Sequence, residues 1–381
     1  MHRGFFHWLK IAFCIDFYEI SNDNALYVEI IGKTMRYNEL TENQSRILID
    51  AKQYFEAYKS ARKIADSYAG TMHWKKVGGK EYLIKSTRGI QRGVGARSAD
   101  TERIYEQFAS AKALADDRLS GSILKMAEHA KICRAVGLAR MPKISSNILR
   151  AIDTAGLLGE TLLVIGTNSL YAYESCAGVR FDSDIMETAD MDLLFDSRKK
   201  ISMAVRSKIS ESGLMGLLQK TDPSFAAVYR NGFRAVNRDG YFVDLVKPEP
   251  TPPWRKEPEG LSETSVESLD LVAVPIRSLH WLLSSPKITE VVIGSDGAPA
   301  PMVCADPRSF ALHKLWLSSQ LSRDPLKKSR DHAQAMAVAS MVIDKMPHLL
   351  FDANDLKNFP KAISEDTDGS EFSALRKAFK L

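Results

Sequence analysis

Apolar side chains recur at helical spacing in two stretches of the first third of the chain. In the first, Thr41-Glu42-Asn43-Gln44 has the spacing of a capping box and apolar residues follow every three or four positions, which predicts a helix to about Tyr68. The second stretch begins at Ser98 and runs to about Val136. Because Ser120-Gly121 interrupts it, we predict two helical segments there.

Short apolar runs predict strands elsewhere. The segment Trp74 to Ile84 predicts a hairpin that turns at a pair of glycines. Farther along, Leu162 to Ile165 predicts a buried strand, and the alternation from Asp190 to Phe195 predicts another. Two more apolar runs, Leu271 to Ile276 and Glu290 to Ile293, are predicted to extend the sheet. Strands and helices that alternate in this way indicate an α/β chain.

Two aspartates lie on one face of the strand predicted from Asp190 to Phe195. Side chains alternate along an extended strand, so Asp190 and Asp192 project from the same face about 6.5–7 Å apart. Neighbouring carboxylates repel each other, and a divalent cation relieves that repulsion. Mg²⁺ prefers oxygen ligands and keeps positions for substrate phosphates. We therefore predict that both aspartates are metal ligands.

A glycine turn precedes this strand. It follows the predicted strand Leu162 to Ile165 and comes before a helix-compatible run from Ser169 to Glu174. Gly166 would let backbone N–H groups approach a triphosphate, and the helix would add its positive dipole end. Thr167 and Asn168 would add side-chain donors. We predict that this turn binds the nucleotide phosphates.

A third aspartate follows on a predicted hairpin. Apolar-rich strands flank the polar turn Asn237-Arg238-Asp239-Gly240, and Asp244 is the one acid in the second strand. We predict Asp244 as the third ligand and as the base toward an acceptor hydroxyl. Two ions about 3.5–4 Å apart would activate that hydroxyl and stabilise a leaving pyrophosphate.

These motifs resemble the DNA-polymerase-β-like nucleotidyltransferase superfamily. The shared order is Gly-Thr after a strand, a helix, Asp-x-Asp on the next strand and a later strand aspartate. The segments GTNSLYAYE and TADMDLLFD are similar to a bacterial subgroup that is related to abortive-infection and toxin nucleotidyltransferases. The resemblance covers residues 145–250 well. This sequence departs from the superfamily pattern in one respect, because the gap between the glycine motif and Asp-x-Asp is longer. We predict that the extra residues form an added loop over residues 177–187.

The resemblance implies a Mg²⁺-dependent enzyme with two ions, or Mn²⁺ in their place, and an NTP such as ATP as substrate. The nucleoside monophosphate would pass to RNA, such as a tRNA 3′ end, or to a protein hydroxyl. Relatives act as toxins or in phage defence, which implies an antitoxin partner. The resemblance also implies that Lys314, on a predicted helix from Phe310 to Leu321, reaches the nucleotide phosphates. Arg88, Arg92 and Arg97 would contact the nucleotide from the N-terminal domain.

Two other functional classes stay open. One is a non-catalytic module on the same fold that binds nucleic acid or a partner. The clustered acids argue against this class, because carboxylates repel a phosphate backbone. The other is a phosphotransferase, which would release NDP in place of pyrophosphate.

Composition indicates the number of domains and the cellular location of the protein, but it does not indicate the activity. The chain has 381 residues, of which 45% are hydrophobic and 26% charged, values that fit a globular protein of two or three domains. Its four cysteines are scattered, which indicates neither a zinc ribbon nor a disulfide framework and favours a reducing cytosol. The apolar run Phe5 to Ile20 is interrupted by charges. We therefore expect no signal peptide, no membrane span and a cytoplasmic location.

Charge is informative in one segment. The formal net charge is only +5, yet residues 59–97 contain ten Lys and Arg against two acidic residues, with Tyr68, Trp74 and Tyr82 among them. Such a segment can bind phosphate backbones and stack on bases. The alternative is a solvated basic face with ordinary core aromatics.

We predict an α/β (α+β) chain in which a nucleotidyltransferase-type mixed sheet is joined to a helical N-terminal domain and a helical C-terminal portion. The predicted parts are an extension (1–40), a mainly helical domain with a basic hairpin (41–145), the catalytic core (146–250), a linker with additional strands and helices (251–345) and a tail (346–381). The predicted site residues are Asp190, Asp192, Asp244, Gly166, Thr167, Asn168, Lys314 and Arg97.

Overall fold

The structure is a computed structural model that describes residues 36–87, 89–199, 213–252, 254–261, 270–351 and 356. Most of the predicted extension and tail lie outside these ranges. The chain forms two compact units. Residues 42–140 and 293–299 make up one, here named the helical unit. The described residues among 1–41, 141–292 and 300–381 make up the other, here named the sheet unit.

Within those ranges the chain forms nine α-helices and thirteen strands. The helices are α1 (Glu42–Ser67), α2 (Ala99–Ala135), α3 (Lys143–Ala155), α4 (Ser169–Ala177), α5 (Ser183–Met186), α6 (Gly213–Thr221), α7 (Leu279–Ser284), α8 (Pro307–Ser319) and α9 (Pro325–Lys345). The strands are β1 (Tyr37–Glu39), β2 (Thr71–Val77), β3 (Lys80–Thr87), β4 (Ile90–Ala96), β5 (Leu162–Ile165), β6 (Val179–Phe181), β7 (Asp190–Phe195), β8 (Ala226–Ala227), β9 (Arg234–Val236), β10 (Phe242–Pro248), β11 (Val274–Ile276), β12 (Lys287–Ile293) and β13 (Pro299–Ala305).

The helical unit combines two long helices with a three-stranded sheet. Helix α1 packs along α2, and the His129 side chain of α2 hydrogen-bonds the Ile47 carbonyl at 2.9 Å. Strands β2, β3 and β4 form an antiparallel meander in which Leu83 is fully buried. The predicted first helix and the hairpin at Gly78-Gly79 are confirmed.

Helix α2 is continuous, so the predicted break at Ser120-Gly121 is wrong. Its start is as predicted, since Ser98 and Thr101 exchange side-chain and backbone hydrogen bonds in a capping box. A glycine inside a helix costs only about 0.5–1 kcal/mol relative to alanine. Helix α2 packs along α1, and its Ala130 and Cys133 are buried, so tertiary packing outweighs that local cost.

The sheet unit contains an eight-stranded mixed sheet. Its strand order is β12-β13-β5-β7-β10-β9-β8, and β11 pairs with β10. Strands β7 and β10 are parallel, whereas β5 is antiparallel to β7 and β9 is antiparallel to β10. The predicted α/β class with a mixed sheet is confirmed, and β11 and β12 extend the sheet as expected.

Both faces of this sheet are covered by apolar side chains. On one face, Leu193 belongs to the larger buried cluster together with residues of α3. On the opposite face, Ile165, Leu194 and Val246 form a smaller cluster with three leucines of α7. Side chains alternate along a strand, so Asp190 and Asp192 lie on the same face as Leu194. The two acids therefore extend the smaller apolar cluster as a polar patch.

Residues 177–187 are not the simple loop that the sequence predicted. After the last residue of α4, they form β6 and the one-turn helix α5, and β6 pairs with β1 in antiparallel register. Val179 and Phe181 are buried on one side of β6, and this alternation stabilises a strand. Arg36 next to β1 forms an ion pair with Asp184. The inserted segment thus anchors β1 to the sheet unit.

Two findings in the described residues bear on the expectations drawn from composition. Cys133, Cys176 and Cys304 form no disulfide. None of the helices in the described ranges combines the length and apolar character that crossing a bilayer requires.

Substitution of Gly121 tests the continuity of α2. We expect Gly121→Ala to raise the free energy of unfolding by about 0.5–1 kcal/mol, because a Cβ atom there meets no atom within 4 Å. Gly121→Pro should lower it by about 3 kcal/mol or more, since proline removes a helical hydrogen bond. Urea unfolding followed by circular dichroism measures both changes. A break at this position would instead leave the proline variant as stable as the parent.

Candidate active site

The pairing of β7 with β10 brings the three predicted acids together. The register places Asp192 beside Asp244 and Asp190 beside Phe242. Paired residues of neighbouring strands share a face and lie about 4.7–4.9 Å apart across the sheet. Asp190, Asp192 and Asp244 therefore project from one face at the start of β7.

The glycine turn packs directly against these acids. Gly166 has a positive φ of 68°, and a Cβ atom on it would overlap Oδ2 of Asp192. Asn168 donates a hydrogen bond from its side-chain amide to the Asp190 carbonyl at 2.6 Å. The structure thus requires glycine at position 166 for contact with an acid, a reason that differs from the phosphate approach predicted from the sequence.

Thr167 contacts helix α9. Its hydroxyl accepts hydrogen bonds from Gln334 Nε2 at 3.1 Å and from an Arg330 guanidinium nitrogen at 3.4 Å. Gln334 also donates to the Ile185 carbonyl at 2.7 Å, and Arg330 donates to the Glu187 carbonyl. Helix α9 therefore fixes both the turn and the segment that leads into β7. Sequence reasoning missed Gln334 and the contact of Arg330 with this turn, because a separation of more than 160 residues leaves no local signal.

Arg234 on β9 is the second feature that sequence reasoning missed. Its guanidinium donates two hydrogen bonds to Asp244, with distances of 2.7 and 2.6 Å. It also lies 5.5 and 5.1 Å from the ring centroids of Phe233 and Phe242. In this hairpin Val236 pairs with Phe242, which places Arg234 opposite Asp244.

The clustered charges change the acid–base properties of Asp192. Burial of its carboxyl group and repulsion by Asp190 and Asp244 raise its pKa to about 7. The positive charges of Lys314 and Arg234 act in the opposite direction. Asp192 therefore gains or loses its proton near neutral pH, far above the usual range of a carboxyl group.

Lys314 is buried in an ion-pair cluster on the two C-terminal helices. Its Nζ donates to Oδ1 of Asp331 at 2.7 Å, and Arg323 pairs with the other carboxylate oxygen at 2.7 Å. Burial lowers the pKa of Lys314, while Asp331 and Asp192 favour its charged form. The structure thus places the predicted phosphate-binding lysine within the electrostatic reach of the acids. Its role toward a nucleotide stays a prediction.

Arg97 belongs to the helical unit. It forms ion pairs with Glu81 and Glu102 at 2.6 and 2.8 Å and lies 5.0 Å from the ring centroid of Trp74. These contacts account for its position without a nucleotide. Its predicted role in nucleotide binding remains untested, and Arg88 lies outside the described residues.

The arrangement of the three acids meets some requirements of a cation site and fails others. Their mutual repulsion at Asp192 is the condition that a divalent cation relieves. As arranged, however, no group of three or more His, Cys, Asp or Glu residues in the described chain could hold a metal ion. Both oxygens of Asp244 accept from Arg234, which leaves Asp190 and Asp192 as the pair that fits a cation. Asp244 would become a third ligand only if its pair with Arg234 opened.

Fold and site together define an α/β protein with an acidic patch beside a glycine turn. Residues 143–357, more than half of the chain, match the model of a family described as nucleotidyltransferase. The chain belongs to this nucleotidyltransferase family, which confirms the family expected from the sequence. The relationship to abortive-infection and toxin enzymes remains a prediction. Neither the curated proteins nor the solved structures gave a significant match.

The raised pKa of Asp192 predicts how stability depends on pH. Between about pH 4 and pH 7 the folded protein keeps a proton that the unfolded chain releases, so stability falls as the pH rises through this window. Asp192→Asn should therefore stabilise the cation-free protein above pH 7, on the order of 2–4 kcal/mol, and have little effect below pH 4.

Urea unfolding in EDTA across this pH range measures the difference. The control is Asp239→Asn, which changes an exposed acid of the β9–β10 turn and should have a small effect at every pH. An Asp192→Asn effect that does not vary with pH would contradict the raised pKa.

Proposed function

We propose that this protein is a metal-dependent enzyme that transfers a nucleoside monophosphate from an NTP to a hydroxyl group of RNA or of a protein. One observation carries the proposal: the register of β7 and β10 sets Asp192 beside Asp244, directly against the Gly166 turn. Membership of the nucleotidyltransferase family supports transfer in general. The metal, the acceptor and the individual residue roles are the proposed part.

The glycine turn would hold the nucleotide. Backbone N–H groups of Gly166 and Thr167 at the start of α4 favour negative charge. Gln334 and Arg330 fix the Thr167 hydroxyl, so the turn is organised before substrate arrives. Lys314 would supply positive charge for the phosphoryl oxygens. Binding at this turn would place the phosphates next to Asp192.

The acids would serve the reacting groups. Asp190 and Asp192 are the proposed Mg²⁺ ligands, and a second ion or Mn²⁺ fits the same proposal. Bound Mg²⁺ would polarise the transferred phosphoryl group and lower the pKa of the attacking hydroxyl. Asp244 would accept the proton of that hydroxyl once Arg234 releases it. An RNA end such as a tRNA 3′ end, or a protein side chain, would provide the hydroxyl, and an antitoxin would be a partner if the chain acts as a toxin.

Label transfer tests the proposed activity. The purified chain is incubated with Mg²⁺, total cell RNA and protein, and each of four NTPs labelled at the α-phosphate. Label should enter RNA or protein, and Asp190→Ala/Asp192→Ala should reduce it by at least about 100-fold. Asp239→Ala, which removes an exposed acid, should keep full activity. Absence of label with every NTP would overturn the proposal, and transfer of γ-label with release of NDP would identify a phosphotransferase.

The Arg234–Asp244 pair provides a test of the third ligand. We expect Arg234→Gln to destabilise the protein in EDTA by about 1–3 kcal/mol, because it leaves the buried Asp244 carboxylate without its cation. The same variant should bind Mg²⁺ more tightly, by about 10-fold, because Asp244 is then free to act as a ligand. Calorimetry and thermal unfolding with and without Mg²⁺ measure both effects.

The matched control is Arg238→Gln, which removes the same charge from the exposed turn of the same hairpin. It should change neither stability nor Mg²⁺ affinity appreciably. Equal Mg²⁺ affinities for Arg234→Gln and the parent chain would show that Asp244 is not a ligand.

A further inference from the structure

The sheet of the helical unit has two faces, and each of them contains both basic and aromatic residues. In the antiparallel register Trp74 pairs with Leu83, and Lys75 pairs with Tyr82. Since paired residues share a face and neighbours alternate, Trp74 and Tyr82 lie on opposite faces. The basic residues of this segment are thus divided between two faces of the sheet.

One face, here named the inner face, is occupied by contacts within the helical unit. Trp74 packs against Tyr105 of α2, with ring centroids 6.1 Å apart. Arg97 lies over Trp74 and pairs with Glu81 and Glu102. On the same face Lys85 lies 5.2 Å from the ring centroid of Phe108. Trp74 on the inner face is therefore an ordinary core aromatic residue, which is the alternative interpretation of this segment given in the sequence analysis.

The other face, here named the outer face, carries positive charge and no acid. Its residues follow from the register of β2, β3 and β4, and they include His73, Lys75, Lys80, Tyr82 and Ile84. In the described residues of these strands the acidic residue is Glu81, which lies on the inner face in an ion pair with Arg97. Lys75 and Lys80 are exposed, so their charges act on solvent and on any ligand.

Small residues lie beside the aromatic ring of the outer face on the β4 side. Strand β4 places Ala96 beside Tyr82 and Gly93 beside Ile84, so the neighbouring positions present a methyl group or no side chain. A Cβ atom added at Gly93 would meet no described atom within 4 Å. Tyr82 is partly exposed. On the β4 side of Tyr82, the paired positions therefore leave space for a planar ligand beside the ring.

We propose that the outer face binds single-stranded RNA, with a base stacked on Tyr82 and phosphates on Lys75 and Lys80. Stacking on an aromatic ring beside cations is how single strands are held without sequence preference. Duplex RNA conceals its base faces and would not use Tyr82. The proposal rests on the proposed function in one respect only, since it names RNA as the acceptor class, and the binding itself requires no transfer.

Fluorescence anisotropy with the full chain tests this surface. The probe is a labelled single-stranded RNA of about 12 nucleotides, without NTP or divalent cation. Tyr82→Ala should weaken binding about 5- to 100-fold, and Tyr82→Phe, which keeps the ring, should retain it. Lys75→Ala/Lys80→Ala should weaken binding and reduce the slope of log affinity against log salt by about 0.7 for each phosphate that the variant no longer neutralises.

The control variant is Lys125→Ala/Lys131→Ala, which removes two cations from α2, away from the outer face, and should leave the affinity unchanged. Circular dichroism confirms that each variant is folded. Equal weakening in the control variant, equal affinity for duplex RNA or an unchanged affinity of Tyr82→Ala would overturn the proposal. Because the assay contains no NTP, its result is independent of label transfer: a chain that binds RNA without transferring label would retain this proposal and lose the previous one.

Discussion

Repulsion among Asp190, Asp192 and Asp244 is the constraint around which the sheet unit is organised. Three carboxylates on one face of a sheet are unfavourable unless positive charge lies nearby. Arg234 supplies that charge to Asp244 from β9, and Lys314 supplies it to Asp192 from α8. Lys314 is in turn paired with Asp331. Positive charges on α8 and β9 thus flank the acids, and charged residues of five elements (α8, α9, β7, β9 and β10) interact around the site.

The apolar residues of β7 determine where this acidic face can lie. Leu193 enters the larger cluster and Leu194 the smaller one, so both faces of the strand are occupied. A shift of register by one residue would carry the two aspartates into the larger cluster and Leu193 out of it. That exchange would place charge in an apolar core, which costs several kcal/mol for each ion. The site is therefore specified as strongly as the core itself.

Local patterns predicted much of this arrangement from the sequence. Alternation in β7, the glycine turn and the β9–β10 hairpin each depend on residues within about ten positions of one another. The contacts that complete the site depend instead on how separate elements pack against one another. Gln334 reaches Thr167 from another helix, and the pairing of Lys314 with Asp331 depends on how α8 packs on α9. The break predicted in α2 was wrong for a related reason, because packing on α1 outweighed the local signal of Gly121.

The ion pairs of the cation-free chain affect the order in which the three aspartates would bind a metal ion. Arg234 neutralises Asp244, so a metal ion would have to compete with Arg234 for this carboxylate. Asp190 and Asp192 have no such bidentate partner in the described structure, and Asp192 holds a proton near neutral pH. A cation bound by Asp190 and Asp192 would replace that proton, whereas binding to Asp244 would also require the Arg234 pair to open. On this reasoning Asp190 and Asp192 would load before Asp244, and opening of the Arg234 pair would be the step that completes the site.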